Sequence, residues 1–552
     1  MKVRVIIQRS EMMFRDASAI LLALGTLTVC TASAWAQAGD CAGLKSLPIA
    51  STIIENTEIV AAGSPMGGPG GLPGSLPGPS HLPAFCKVTG VIRDRTGADG
   101  KHYGIRFEVR LPAKWNGSFF FQGGGGMDGW LLPAIGMVSI GTPSALERGY
   151  AVVSDDGGHE GPMDSSFGRE QQARLDYAFE STIETTRVAK QLVGAYYGKS
   201  PAHSYFVGCS NGGREAMMAI ERTPLDFDGA IAGDPGFRLT HAAIAEAWDS
   251  QTFLAIAPKD ADGHPILSKA FSNADLKLVA DAVLAKCDAL DGLKDGEINN
   301  IAACKFDPAE LTCTGAKTDQ CLSRAQVAAL KKSFGGAHDS HGNALYSSWP
   351  YDAGIAEMGW RAWKIGASET AQPSALNATL GALSLTDYFV HPYIEGITPW
   401  NLDFDRAAAE TDQTARINDA VDTDLSAFAA HGGKLLIYEG LSDPVFSADD
   451  IVDYYRQLER DNGGQEKTAS MARLFLIPGM NHCGGGPATD QFDALTALEK
   501  WVGQSEAPQS IMATGAAFPG RTRPLCPYPQ YASYNGSGDP QEGKNFTCKN
   551  PE

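Results

Sequence analysis

Ser210 stands at the centre of Gly208-Cys209-Ser210-Asn211-Gly212, where an apolar run, "SYFV", gives way to a stretch of helix formers that stops before Pro224. A G-x-S-x-G element at a strand-to-helix turn holds its serine on strained backbone, and its neighbours must be small because larger side chains would clash. The five residues alone are weak; a strand before and a helix after make them a nucleophile. A serine also needs a general base and a group that orients that base. Among the eleven histidines, His482 follows a late β-type run in "FLIPGMNHCGGG", and Asp443 follows the preceding one in "LLIYEGLSDPVFS". Singly, each is ordinary turn chemistry. In this order, each just past a strand, they read as base and acid. Asp449 and Asp450 are weaker acid candidates, since they open the next helix as caps.

An oxyanion formed on attack needs backbone N–H donors: one from Asn211, the residue after the nucleophile, and one from an earlier glycine loop. "FFFQGGGGMDGW" supplies that loop, with Gly125 or Gly126 as donor. Its glycines form no nucleotide motif, because neither a P-loop Lys-Ser/Thr nor a GxGxxG in a βαβ unit is present. Cys209 beside Ser210 offers a rival thiol nucleophile. Cys483 beside His482 offers another role: if base and nucleophile meet, the two sulfurs come within bonding range. A disulfide closing so large a loop is worth roughly 5 kcal/mol in the chain-entropy picture.

These residues need elements to position them. The chain has 552 residues, 43% hydrophobic and 20% charged, enough for a large core. Residues 1–36 carry Lys2, Arg4, Arg9 and Arg15, then a short apolar segment and Ala34-Trp35-Ala36, the pattern of a cleavable signal peptide. The expectation is a secreted or periplasmic protein beginning near Gln37, with no membrane span. "AAGSPMGGPGGLPGSLPGPSHLP" reads as a loop or linker. Beyond it, "GSFFFQ", "GYAVVSDD", "SYFVG", "KLLIYEG" and "RLFLIPG" read as strands, alternating with helices at Ser181–Tyr197 and around Ala448–Leu458. Strand–helix alternation predicts a parallel α/β sheet. Between about Phe237 and Thr423 the rhythm is lost. Helices such as Asn273–Lys286 and Ser323–Phe334 and clustered aromatics (Trp349, Tyr351, Trp360, Trp363, Tyr388, Phe389, Trp400) fill that stretch. Residues 37–236 and 424–552 are therefore read as one catalytic domain and 237–423 as an inserted lid.

The net charge of −19 disfavours nucleic acid or anionic membrane as partner. Removing the signal leaves ten cysteines, an even number that argues for five disulfides, and no CxxC pair suggests zinc. "CDALDGLKDGEINN" places Asp288, Asp291 and Asp295 within eight residues without fitting an EF-hand, since Leu293 and Ala302 stand where oxygen ligands belong. A hard-cation site and a solvated acidic turn are both open on spacing.

Taken together, "GCSNGG", "FQGGGGMDG", "YAVVSDDGGH", "CDALDGLKDG" and "GMNHCGGG" resemble the tannase and feruloyl esterase family, over nearly the whole mature chain. The resemblance implies an α/β-hydrolase fold with a large inserted lid, and a triad of Ser210, Asp443 and His482. It also implies disulfides Cys209–Cys483, Cys41–Cys86, Cys287–Cys304, Cys313–Cys321 and Cys526–Cys548. Further, it implies a structural calcium in the lid, held by the carboxylates of Asp288, Asp291 and Asp295 and the carbonyls of Leu293 and Glu297, with no organic cofactor. The expected function is a serine carboxylesterase acting on small aromatic esters, feruloyl or galloyl esters first and a terephthalate monoester second. A non-catalytic binding protein on the same scaffold is the reading from another class.

Overall fold

The computed structural model describes residues 39–64, 82–139, 142–381 and 384–551. The expected signal segment and most of the Gly/Pro-rich stretch lie outside them. The runs rich in β-branched and aromatic residues form nine strands: β1 (Thr52–Val60), β2 (Phe85–Thr96), β3 (His102–Pro112), β4 (Ser118–Gln122), β5 (Ala151–Asp155), β6 (His203–Cys209), β7 (Gly229–Gly233), β8 (Lys434–Gly440) and β9 (Ala472–Ile477). They join in one sheet in the order β1-β2-β3-β5-β4-β6-β7-β8-β9. The first three strands and β5 pair antiparallel; from β5 to β9 every pairing is parallel. Strands β5 and β7 are buried along their whole length, as a sheet covered on both faces requires. This is the α/β fold the alternation predicts.

Helices Ser181–Tyr197, Asn211–Arg222 and Ala448–Asp461 pack on one face, where Val188, Leu192, Met217, Ile220, Ile451 and Tyr455 meet Phe119, Phe121, Phe206 and Leu435. Ala494–Gln504 covers the other face through Leu495, Leu498 and Trp501. Helix caps follow the sequence: Ser323 and Ser272 each close a capping box, and Ser447, rather than Asp449 or Asp450, caps Ala448–Asp461. Small C-terminal sheets, β10 (Gln491–Phe492) with β11 (Ile511–Thr514) and β12 (Arg523–Leu525), and β13 (Tyr531–Tyr534) with β14 (Phe546–Lys549), had no counterpart in the sequence pattern.

Among the described residues between β7 and β8 none joins the main sheet, although the two strands pair directly. That segment runs through Leu239–Leu254, Asn273–Cys287, Arg324–Phe334, Met358–Lys364 and Phe404–Asn418. Its buried residues Phe253, Phe271, Val279, Leu330, Trp360 and Phe389 form one cluster with Met127, Phe167, Tyr177, Val445 and Phe446 from outside the segment. Among the described residues there are five disulfides: 41–86, 209–483, 287–304, 313–321 and 526–548. No helix of the described residues is long and apolar enough to cross a membrane.

Candidate active site

Strand β6 ends at Cys209 and helix Asn211–Arg222 begins one residue later, so Ser210 must make the whole turn. It does so at φ 64°, ψ −127°, a conformation that costs a non-glycine residue of order 1–3 kcal/mol and persists only where surroundings enforce it. The enforcement is visible. A Cβ on Gly208 would lie 2.4 Å from the Gly212 carbonyl carbon, and one on Gly212 would lie 2.7 Å from the Gly124 carbonyl oxygen. Both glycines of the motif are therefore needed for close approach, and the glycine loop after β4 lies directly against the turn.

The candidate acid and base follow β8 and β9, the last two strands of the sheet. Asp443 follows β8, and its Oδ1 accepts the N–H groups of Val445 (2.6 Å) and Phe446 (3.1 Å), which fixes the carboxylate. His482 follows β9, and its Nδ1 lies 2.7 Å from Asp443 Oδ2. A carboxylate only accepts, so Nδ1 carries the proton and Nε2 keeps the lone pair of a candidate base. Nε2 is buried and has no hydrogen-bond partner among the described residues. Burial works to lower the imidazole pKa, but the charge and hydrogen bond of Asp443, with Asp234 behind, hold it above the ordinary value. The Cys209–Cys483 disulfide joins the residue before Ser210 to the residue after His482. Cys209 is thereby spent in a bond, which removes the thiol reading. Asp449 and Asp450 point elsewhere, to Ser348 and to Ser347 and Arg238.

Among the described residues no protein acceptor is found for the N–H groups of Asn211, Gly125 and Gly126, whereas Gly124 N–H is taken by Glu215. Open space lies above Gly125, and Gly126 has φ 61° beside Leu380. The arrangement can hold an oxyanion between the loop and the helix start. Trp363, from the segment between β7 and β8, sits edge-on to His482 at 5.5 Å, and Phe446 does so at 5.3 Å.

Several buried groups around the site carry no motif signal. Asp234, after β7, accepts the N–H groups of Gly440 (2.7 Å) and Cys483 (2.8 Å), tying the acid strand to the base loop. Burial, and then the Asp443 charge, push its carboxyl up. Asp352 accepts from Ser442 Oγ (2.8 Å) and Gly479 N–H (2.6 Å), joining the inserted segment to the loops that carry Asp443 and His482. Only the long-range hydrogen bonds of the fold reveal these roles.

The acidic loop is more divided. Asp288 accepts from Asp295 and Gly296 N–H, and Asp291 accepts from Leu293 and Asn299. Asp291 is pushed up to about 6, first by burial, and its hydrogen-bond partners are all neutral. Asp295 instead pairs with Arg523, and the Glu297 side chain with Arg521, 3.2 Å away. Among the described residues, the trios of metal-ligating side chains whose ligand atoms lie within 4.8 Å of one another are Cys209-Asp234-Cys483 and Asp234-Glu439-Asp443. The Asp288-Asp291-Asp295 set is not one of them. Asp288 and Asp291, without cationic hydrogen-bond partners, fit a hard cation; Asp295 fits only by leaving its arginine.

A family model described as tannase and feruloyl esterase matches residues 86–549. A mono(2-hydroxyethyl) terephthalate hydrolase from Piscinibacter sakaiensis is 42% identical over 519 residues, covering 85% of both chains. A probable feruloyl esterase B-2 from Aspergillus terreus is 28% identical, covering 80% of this chain and 83% of its own. In fold, the chain is similar to the crystal structure of feruloyl esterase B from Aspergillus oryzae, with a TM-score of 0.77 at 24% identity, over 92% of this chain and 99% of that one.

Proposed function

Since the chain belongs to the tannase and feruloyl esterase family and is a carboxylic ester hydrolase, we propose that it cleaves its esters through an acyl-enzyme on Ser210. His482, oriented by Asp443, takes the hydroxyl proton as Oγ attacks the ester carbonyl. The tetrahedral oxyanion rests on the N–H groups of Asn211 and of Gly125 or Gly126. His482 then returns the proton to the departing alcohol. Water, activated by the same imidazole, releases the acid and restores Ser210. The observation that carries this reading is the paired tether: Asp443 on one side of His482 and the Cys209–Cys483 bond on the other fix the base against the nucleophile turn.

The acyl group is proposed to be an aromatic acid, a reading supported by the aromatic rings of Trp363 and Phe446 packed edge-on to the imidazole. Feruloyl and galloyl esters come first. The 42% identity to the terephthalate monoester hydrolase favours a second reading, a terephthalate monoester. Ser210→Ala, folded by circular dichroism, should lose all turnover of methyl ferulate, methyl gallate, chlorogenate and a terephthalate monoester. Retained turnover would refute the acyl-enzyme. The ranking of the four in wild type decides between the substrate readings.

The inserted segment is proposed to act as the lid of the catalytic domain. Export is proposed from the basic-apolar N-terminus and supported by the five disulfides; the mass of the mature chain tests cleavage near Gln37. A structural calcium is proposed at Asp288 and Asp291, joined by Asp295 and the carbonyls of Leu293 and Glu297. When bound it would supply charge neutralisation to the loop and take no part in the chemistry. An unchanged melting temperature after chelation would rule it out.

A further inference from the structure

The two halves of the oxyanion site come from different parts of the chain, the loop after β4 and the start of helix Asn211–Arg222. Something must hold them in register to a fraction of an ångström. Glu215, one turn into that helix and 5% exposed, touches both. Its Oε2 accepts Gly124 N–H at 2.8 Å and its Oε1 accepts Asn211 Nδ2 at 2.9 Å. One carboxylate thus binds the residue immediately before Gly125 and the residue whose own N–H is the other donor. Gly124 is kept from competing for the oxyanion, because its N–H is already engaged.

The surrounding contacts converge on the same arrangement. Asn211 Nδ2 also donates to Asp128, and Asn211 Oδ1 accepts from Arg214 Nε at 2.7 Å. Tyr177 hydroxyl lies 3.1 Å from Gly126 O and 3.3 Å from Asn211 Oδ1, a second and weaker bridge between the two halves. Arg214 is in turn anchored to the carbonyls of Ala178 (2.7 Å) and Asn418 (3.1 Å). The Asn211 side chain is saturated by these partners, leaving its backbone N–H free to face the substrate.

We propose that Glu215 is a positioning residue that sets the spacing of the oxyanion donors, an inference that rests on the Ser210 acyl-enzyme reading. It touches neither substrate nor Ser210 in that scheme; it acts through Gly124 and Asn211. An uncharged amide of the same shape cannot do this, since Gln offers one acceptor oxygen for two donors and turns an NH2 toward the other.

The test is Glu215→Gln on a soluble aromatic ester, with phenylboronic acid as a probe that forms a tetrahedral adduct on Ser210 and benzoate as a ground-state competitor. The expected result is a fall in kcat of about ten- to a hundred-fold with KM within about twofold. Phenylboronic acid affinity should fall by a similar factor and benzoate affinity should hold. An unchanged kcat, or a lower kcat with unchanged phenylboronic acid affinity, overturns the proposal. Should the Gln variant not fold, Glu215→Asp keeps the charge but withdraws the carboxylate by one methylene, and the same split is expected of it. Ser210→Ala separates the two readings: turnover in that variant overturns the acyl-enzyme itself, whereas an inactive Ser210→Ala beside a fully active Glu215→Gln overturns only the positioning role.

Discussion

Replacing Cys209 and Cys483 together by alanine removes a cross-link and leaves no lone thiol, so its two effects can be measured apart. The bridge spans a sequence separation of 274. In the chain-entropy picture, closing a loop of that length costs the unfolded chain roughly 5–6 kcal/mol at 25 °C. The bridges 287–304 and 313–321 lie inside the loop and shorten it by 17 and 8 residues. Because the dependence is logarithmic, that trims the figure by only about 0.1 kcal/mol. Unfolding entropy near 2.1 cal/mol/K per residue gives roughly 1.1 kcal/mol/K for a chain of this size, so cooperative unfolding should move down by about 5 °C. Catalysis should suffer separately, since the bridge is bonded next to both Ser210 and His482; a displacement near 1 Å costs about 100-fold in rate. Calorimetry under non-reducing conditions and steady-state hydrolysis of methyl ferulate provide the two readouts. An unaltered melting temperature would refute the loop-entropy argument. An unaltered kcat alongside the full 5 °C loss would refute the claim that the bridge sets the catalytic geometry.

The remaining tests are shorter. Because His482 is held above its ordinary pKa by Asp443, kcat/KM should climb with pH along a limb centred above about 6.5, as the imidazole loses its proton. The same raised pKa contributes stability below the unfolded value that disappears as pH rises through the folded one. Asp443→Asn should lower kcat by about 10³–10⁴ and move that limb downward, as a pH–rate profile would record. Asp352→Ala leaves the Ser442 hydroxyl and Gly479 N–H without their acceptor, and at about 1–3 kcal/mol per stranded group the melting curve should shift markedly; a shift under 1 °C would contradict the clamp. Added calcium should raise the melting temperature of wild type and fail to do so in Asp291→Asn; equal responses would place the ion elsewhere.

Local chemistry made part of this molecule readable from its sequence. The nucleophile turn announces itself because only glycine tolerates the approaches at 208 and 212, and the strands around it are short, apolar and alternate with helices. Helix Ser181–Tyr197 ends where predicted, at Gly198, but helical backbone already runs into it through Gln171–Leu175 and Asp176–Glu180. The ties between loops were not readable. Glu215 sits on a helix among ordinary formers, and Asp234 and Asp352 are isolated acids; each has a backbone N–H partner distant in sequence, which leaves no mark there. The C-terminal strands β10 to β14 were missed because each is only two to four residues long, too short for an alternating pattern to stand out. Asp295 illustrates a different limit: its spacing fits a cation loop, but Arg523, far along the chain, occupies it.

The direct pairing of β7 with β8, register Gly229 to Lys434, has a consequence for how the molecule comes into being. A growing chain completes β4, β6 and the Ser210 turn while the acid, the base and the strand that carries each are still unmade. Everything between must be synthesised before β8 can take its place next to β7, and β9, with the loop that carries His482, is made after both. The order of synthesis therefore places the serine turn early and the strands leading to Asp443 and His482 at the end of the sheet.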